Sequence, residues 1–179
     1  MLLISIEVLL LVFADRITKI LAETFLVAGN MIPVIPGVVG LELLEGGNTG
    51  AAFGILRENR LALIILPLIV SCALLYMLFF MKIRSKLLKY SVIMILAGGL
   101  GNLYDRIFGG VVVDFIKFIF FEFPTFNFAD CCISIGAALL FVAIIFSKSS
   151  EPIFEHTPRF LMSKKERDAA DKTLSDSNE

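Results

Sequence analysis

The sequence predicts an all-α membrane protein with four transmembrane helices, a small extracytoplasmic β-sheet and an interfacial segment. Of its 179 residues, 58% are hydrophobic and only 18% are charged, against about 25% charged in an ordinary soluble domain. The mean hydropathy is +0.88. Several apolar runs approach the roughly 20 residues that a helix needs to cross the hydrocarbon core of a bilayer. These features together favour a multi-pass membrane protein.

Four apolar runs form the predicted helical bundle. They are Leu2 to about Leu21, Leu61 to Met81, Leu87 to Phe108 and Phe128 to Phe146. The first run has no basic segment before it and no small-residue cleavage site before Asp15, so we interpret it as a spanning helix and not as a cleaved signal peptide. Residues 1–147 are therefore predicted to form the membrane domain, and residues 148–179 a charged cytoplasmic tail.

The connection between the second and third runs sets the predicted orientation. Its cations are Lys82, Arg84, Lys86 and Lys89, and it contains no acid. Cytoplasmic loops carry an excess of Lys and Arg, so this hairpin is predicted to be cytoplasmic. With four spans, both termini are then cytoplasmic and the other two connections face the outside.

Both outer connections are predicted to fold at the membrane surface. The first is too long for a structureless loop. Within residues 25–58 the segments Val34–Val39 and Leu41–Leu44 have the composition of short strands between Gly, Pro and Asn, so a small antiparallel sheet is expected. The second, Gly109 to Asn127, is rich in phenylalanine, which is typical of a segment lying along the membrane interface.

Composition also argues against several classes of ligand. A net charge of -1 leaves no basic surplus for nucleic acid. The single histidine, His156, lies in the polar tail and no Cys-x-x-Cys pair occurs, so neither a metal nor a cofactor is predicted. Cys72, Cys131 and Cys132 lie within apolar runs, and we interpret them as small apolar residues and not as a disulfide framework.

Polar residues are predicted to meet at the outer rim of the bundle, because the first and third helices run outward and the fourth runs inward. They are Asp15, Lys19, Asn102, Asp105, Arg106, Asp114, Asn127 and Asp130. Polar residues in a membrane are costly and tend to mark function, although ion pairs that only hold helices together are the alternative. That alternative applies to Asp15 with Lys19, spaced i, i+4, and to Asp105 beside Arg106. Glu7 has no predicted role.

Asp114 and Asp130 differ from the other acids because their sequence neighbours are almost wholly apolar. The only cation within four residues of either is Lys117. Two carboxylates that meet in a poorly hydrated site share one proton, so that one serves as acid and the other as base. Such a pair activates water. The nearest hydroxyl, Ser134, lacks a base that would make it a nucleophile.

Two glycine-bearing motifs accompany these residues. The loop Gly46–Gly54 either holds an extended peptide close to its backbone or is an ordinary turn before a helix. The motif Ala97–Asn102 favours close helix packing at Gly98 and a cross-helix hydrogen bond at Asn102.

Taken together, the motifs resemble those of the bacterial lipoprotein signal peptidases, or signal peptidase II family. Five blocks match in order: Asp15–Lys19, Asn48–Phe53, Gly98–Arg106, Val112–Phe115 and Phe126–Asp130. The resemblance implies an aspartic endopeptidase at the outer face of the bacterial cytoplasmic membrane. It implies that the substrate is a prolipoprotein, cut just before a cysteine that carries diacylglycerol.

The resemblance also implies roles for individual residues. Asp114 and Asp130 would be the catalytic dyad. Residues that bind substrate or support the dyad would be Asn48, Gly50, Asn102, Arg106, Asn127 and Ala129, with Asp15, Lys19 and Asp105 nearby. The outer sheet would cradle the substrate, and the phenylalanine-rich segment would be a flap over the site. Membrane lipid is an implied partner, and a monomer is expected.

Two other classes of membrane protein fit the sequence less well. A small transporter or channel subunit would place its polar groups near the midplane, whereas here they are predicted at one rim. An aspartyl membrane protease of the Gly-x-Gly-Asp type is disfavoured because that tetrapeptide does not occur.

Overall fold

The computed structural model describes residues 2–50, 59–81, 83, 85–146 and 167. This part of the chain contains four long helices: α1 (Leu2–Phe25), α2 (Arg60–Phe80), α3 (Lys86–Phe108) and α4 (Phe128–Phe146). It also contains three short strands: β1 (Ile32–Ile35), β2 (Val39–Leu41) and β3 (Ile116–Phe118). The predicted tail, apart from residue 167, lies outside the described residues, as do residues 51–58, which include the second half of the glycine-bearing loop.

Helix bounds follow the apolar runs closely, with one difference. Helix α1 continues to Phe25 and not to Leu21. The extra turn is stabilised by packing, because Ala22 is buried, and by a hydrogen bond of 2.7 Å from Thr24 Oγ1 to the Ile20 carbonyl. The chain then turns at Gly29, whose φ of 76° suits glycine.

Three of these helices, α2, α3 and α4, are long and apolar enough to cross a membrane. Helix α1 has 24 residues but carries more charge than such a span, notably at Asp15, Arg16 and Lys19. Asp15 and Lys19 are 1% and 0% exposed, so the bundle and not lipid surrounds them. The count of four spans stays a prediction.

Helix α3 is the centre of the bundle. Its residues Val92, Ile93 and Leu96 are at most 2% exposed and pack in one core cluster with Ile4 and Val8 of α1. Glycines bring α4 close to α3. A Cβ atom at Gly98 would overlap the carbonyl oxygen of Ala129. The close packing predicted for Gly98 is therefore confirmed, and it holds the outer end of α4 against the outer end of α3.

The strands form one antiparallel sheet in the order β1-β2-β3, joined to the ends of α1 and α3 and the start of α4. A small sheet is confirmed, but the predicted strand bounds are wrong. Residues 36–38 form the turn between β1 and β2, because Gly37 adopts a φ of 73° and Val38 N–H donates to the Ile35 carbonyl at 2.9 Å. Strand β3 lies in the segment predicted to be only interfacial.

Candidate active site

The backbone around Asp114 is held on both sides by hydrogen bonds. Leu44 N–H donates to the Asp114 carbonyl at 2.9 Å, and Asn48 exchanges backbone hydrogen bonds of 2.8 and 2.9 Å with Val112. On the other side Phe115 and Ile116 both donate to the Phe126 carbonyl. The segment that carries Asp114 is therefore fixed between the 42–48 segment and the start of α4.

Asp130 is placed by the N-terminal cap of α4. Asn127 precedes the helix, and its Oδ1 accepts from Asp130 N–H at 3.0 Å. In return Asp130 Oδ2 accepts from Asn127 N–H at 3.1 Å. This reciprocal pair is a capping box, which satisfies two donors left unpaired at a helix start. The carboxylate of Asp130 thus lies at the positive end of the helix dipole.

Asn127 touches both aspartates. Its Nδ2 donates to Asp114 Oδ1 at 2.6 Å and to Asn102 Oδ1 at 3.1 Å. The other oxygen of Asp114 accepts from Asn48 Nδ2 at 2.8 Å, and Asp130 Oδ1 accepts from Asn102 Nδ2 at 2.8 Å. Neutral amide donors therefore hold all four carboxylate oxygens. Within the described residues, no cation lies at ion-pairing distance from either aspartate.

The two aspartates differ in exposure. Asp114 is 1% exposed, whereas Asp130 is half-buried. Burial raises the pKa of Asp114 to about 6; the hydrogen bond from Asn48 opposes that rise, and the negative charge of Asp130 adds to it. The environment of Asp114 therefore favours retention of a proton.

A second group of charges lies beside the aspartate pair. Lys19 Nζ is 2.9 Å from Asp15 Oδ2, 2.7 Å from Asp105 Oδ2 and 3.1 Å from Asn102 Oδ1. The other oxygen of Asp15 accepts from Ala129 N–H at 3.0 Å, at the start of α4. Lys19 thus joins α1 to α3, and Asp15 joins α1 to α4. The pairing of Asp15 with Lys19 is confirmed, with Asp105 as a third member.

The alternative of a local clamp between Asp105 and Arg106 is wrong. Asp105 pairs with Lys19 and with Arg16. Arg16 also covers the Tyr104 ring, with its guanidinium carbon 4.6 Å from the ring centroid. Adjacent helical residues point in different directions, so Asp105 and Arg106 face different neighbours. Local sequence patterns do not predict the Arg16 contacts, because the partners Tyr104 and Asp105 are 88 and 89 residues away.

Arg106 contacts the loop that carries Asn48. Its Nη2 donates to the Gly50 carbonyl at 2.9 Å, while Gly50 N–H donates to Asn48 Oδ1 at 2.9 Å. Arg60, at the start of α2, donates to the Arg106 carbonyl at 3.0 Å. Arg106 therefore orients Asn48, which in turn holds Asp114.

The remaining candidate residues lie apart from the pair. Lys117, the one cation near Asp114 in sequence, pairs with Glu42 at 2.7 Å. Ser134 is exposed on α4. No group of three His, Cys, Asp or Glu that could hold a metal ion occurs in the part of the chain that the structure describes. Glu7 has a buried oxygen, Oε2, without a hydrogen-bond partner among those residues, and the structure gives it no function.

Comparisons with known proteins identify the family of this chain. The family described as "Signal peptidase (SPase) II" matches residues 7–146. The lipoprotein signal peptidase of Clostridium tetani is 40% identical over 143 residues, which cover 78% of this chain and 90% of that protein. That of Caldanaerobacter subterraneus subsp. tengcongensis is 41% identical over 135 residues, covering 75% and 90%. That of Symbiobacterium thermophilum is 37% identical over 136 residues, covering 75% and 88%.

Solved structures of bacterial membrane enzymes have a similar fold. A bacterial membrane enzyme solved in meso at 2.3 Å resolution superposes with a TM-score of 0.75 and 30% identity, covering 87% of this chain and 94% of that one. A second, solved at 1.9 Å, gives a TM-score of 0.72 at 31% identity, covering 81% and 94%. With its polar network at one end of an apolar helical bundle, the chain belongs to the signal peptidase II family, the lipoprotein signal peptidases.

Proposed function

We propose that this peptidase is an aspartic endopeptidase in which Asp114 and Asp130 activate a water molecule. The observation that supports this most strongly is the position of Asn127, whose side chain donates to Asp114 Oδ1 and whose backbone N–H donates to Asp130 Oδ2. One residue that touches both carboxylates holds them near each other, and a close carboxylate pair is the arrangement that shares one proton.

The charge of the network also supports a shared proton. Four carboxylates, Asp15, Asp105, Asp114 and Asp130, accompany three cations. The cations are Arg16, Lys19 and Arg106. In a site with little water, an uncompensated charge is costly. One retained proton makes this set of side chains neutral.

The proposed roles follow from the two environments. Asp114 is the acid, because it is buried and its pKa is raised to about 6. Asp130 is the base, because it is the more exposed of the two and its carboxylate accepts hydrogen bonds from Asn102 and Asn127. The assignment describes the dominant arrangement of a pair that titrates as a unit.

The reaction then proceeds in two proton-balanced steps. Asp130 takes a proton from water as the oxygen attacks the scissile carbonyl carbon, and Asp114 gives its proton to the carbonyl oxygen. The tetrahedral diol collapses when Asp114 takes back that proton. Asp130 gives its proton to the departing amine, and the C–N bond breaks. Both aspartates return to their starting states.

The substrate and location are inferred from the relatives. We propose that the chain cleaves signal peptides from prolipoproteins, just before the diacylglyceryl-modified cysteine, at the outer face of the bacterial cytoplasmic membrane. The cation-rich hairpin between α2 and α3 then faces the cytoplasm, with both termini. A monomer without bound metal suffices for this chemistry, because the network supplies both acid and base.

Cleavage of a lipidated precursor by aspartate variants tests this proposal. Asp114→Asn and Asp130→Asn are each expected to abolish cleavage in detergent or bilayers, because each leaves the pair without one proton-transfer group. Glu42→Gln is the matched control, since it removes a carboxylate directly after β2 that pairs only with Lys117 among the described residues. Retained cleavage in either aspartate variant refutes the dyad. Equal rates on lipidated and unlipidated precursors refute the proposed substrate.

A further inference from the structure

Five phenylalanine rings pack against one another in the segment that runs from the last residue of β3 to the start of α4. We call Phe118, Phe120, Phe121, Phe123 and Phe126 the phenylalanine cluster. Phe118 is at its centre, with its ring centroid 5.1 to 5.7 Å from each of the other four. The outer rings also touch each other, with Phe120 and Phe121 centroids 4.6 Å apart. The segment is therefore an ordered structure and not a loose loop.

Most of the cluster is nevertheless exposed on the protein surface. Phe120, Phe121 and Phe123 are 64%, 44% and 41% exposed. Scattered exposed apolar residues are ordinary, but a contiguous patch of aromatic rings indicates an interaction surface. The only charged residue among positions 118–126 is Glu122, also exposed. The patch accordingly matches an apolar partner better than a charged one.

The phenylalanine cluster continues into other exposed apolar residues. Ile119 N–H donates to the Val38 carbonyl at 2.9 Å, so the cluster adjoins the turn between β1 and β2. In that region Ile32, Val34 and Ile35 are 47% to 57% exposed. Phe25 and Val27, where α1 ends, are 71% and 65% exposed. The cluster thus extends the apolar surface that begins at the end of the helical bundle.

We propose that the phenylalanine cluster inserts into the lipid of the outer leaflet and anchors the sheet at a fixed depth. Aromatic side chains favour the boundary between acyl chains and headgroups, where their rings are buried and nearby polar groups stay hydrated. In this arrangement the rings contact lipid, and Glu122 stays among the headgroups.

The anchor is directly connected to the aspartate pair. Ile116 and Phe126 close the base of the segment with reciprocal hydrogen bonds of 2.8 and 2.9 Å. Asp114 lies two residues before this base and Asn127 one residue after it. The depth of the cluster therefore sets the height of the aspartates relative to lipid. An effect of this depth on cleavage rests on the proposed function, whereas insertion of the cluster into lipid does not.

A tryptophan reporter tests insertion independently of activity, because the chain contains no tryptophan. Phe120→Trp, in bilayers of phosphatidylcholine and phosphatidylglycerol, is expected to be quenched by lipids brominated near the headgroup and shielded from acrylamide in water. Phe13→Trp is the positive control, since Phe13 is 61% exposed in the middle of α1, and it should be quenched best by deeply brominated lipids. Free N-acetyltryptophanamide is the aqueous reference. A Phe120→Trp signal that acrylamide quenches as fully as this reference overturns the proposal.

A cleavage measurement tests whether the depth of the phenylalanine cluster affects the aspartate pair. The double variant Phe120→Ser, Phe123→Ser is expected to lower the rate in bilayers several-fold more than the rate in detergent micelles, where depth is not fixed. Phe13→Ser is the matched control, and its two rates should change together. Equal losses in both media would show that the cluster acts as a flap over the site and would overturn the depth anchor. Failure of the proposed aspartate mechanism, in contrast, would be seen as retained cleavage in Asp114→Asn or Asp130→Asn, and not in these phenylalanine variants.

Discussion

Two pairs of aspartates lie at the same end of the bundle and have different hydrogen-bonding partners. Asp15 and Asp105 share the ammonium of Lys19, and Asp105 also pairs with Arg16. Asp114 and Asp130 receive neutral amide donors from Asn48, Asn102 and Asn127. A carboxylate that faces a cation has its counter-charge beside it, whereas one that faces amides is oriented without a neutralising partner.

In the proposed mechanism, this difference separates structural from reactive carboxylates. The cation-paired aspartates hold α1, α3 and α4 together. The amide-paired aspartates are held in position and would exchange the proton. Asn102 joins the two regions, because its Oδ1 accepts from Lys19 while its Nδ2 donates to Asp130.

The largest predicted effect is on folding, at Lys19. Lys19→Met leaves two buried carboxylates without their shared cation, and breaking a buried ion pair costs about 3–5 kcal/mol of unfolding free energy. Lys117→Met is the control, because its pair with Glu42 is partly exposed and such pairs contribute about 1 kcal/mol or less. Denaturation monitored in detergent compares the two variants. Equal stability of both would contradict the structural role given to the cation-paired aspartates.

Asn127 is predicted to matter for catalysis more than for folding. Asn127→Leu removes the side-chain donor to Asp114 Oδ1 and the side-chain acceptor of Asp130 N–H, while the backbone donor to Asp130 Oδ2 stays. Hydrogen bonds to charged groups contribute about 1.5–3 kcal/mol each. Cleavage should therefore fall about 10- to 100-fold. Asn30→Leu, at an exposed amide remote in sequence from the pair, serves as the control. If the two variants cleave equally well, amide orientation of the pair is unimportant.

The pH dependence of cleavage distinguishes the proposed acid. A raised pKa means that Asp114 holds its proton below about pH 6 and loses it above. Since the proposed mechanism needs that proton, kcat/KM should fall as pH rises through about 6. The corresponding decline in kcat should lie at higher pH, because bound substrate excludes water and buries the pair further. A kcat/KM that stays constant through this range would mean that Asp114 is not the acid.

The smallest predicted effect is at Asn48. Its hydrogen bond favours the ionised form and so lowers the pKa of Asp114 against the larger effect of burial. Asn48→Ala should therefore move the decline in kcat/KM to higher pH, with a rate loss of about tenfold or less. A shift to lower pH would show that Asn48 stabilises the protonated acid instead.

Much of this arrangement is predictable from local patterns. Apolar length predicts α2, α3 and α4 to within one residue at each end, and the i, i+4 spacing predicts the pairing of Asp15 with Lys19. Contacts between distant segments are not predictable in this way. Arg106 meets Gly50 across 56 residues, and strand β3 exists only because it pairs with β2. The residues of β3 are equally typical of an interfacial segment, because strand propensity alone does not reveal that β2 is the pairing partner.

The most direct test is to observe the retained proton itself. Infrared difference spectra between pH 5 and pH 8 report protonated carboxyl groups by their C=O stretch. The proposed mechanism predicts a carboxylic acid band lost over this range, absent in Asp114→Asn and preserved in Asp15→Asn. If the band persists in Asp114→Asn and disappears in Asp15→Asn, the proton belongs to the cation-paired region and the proposed division between the two pairs of aspartates is wrong.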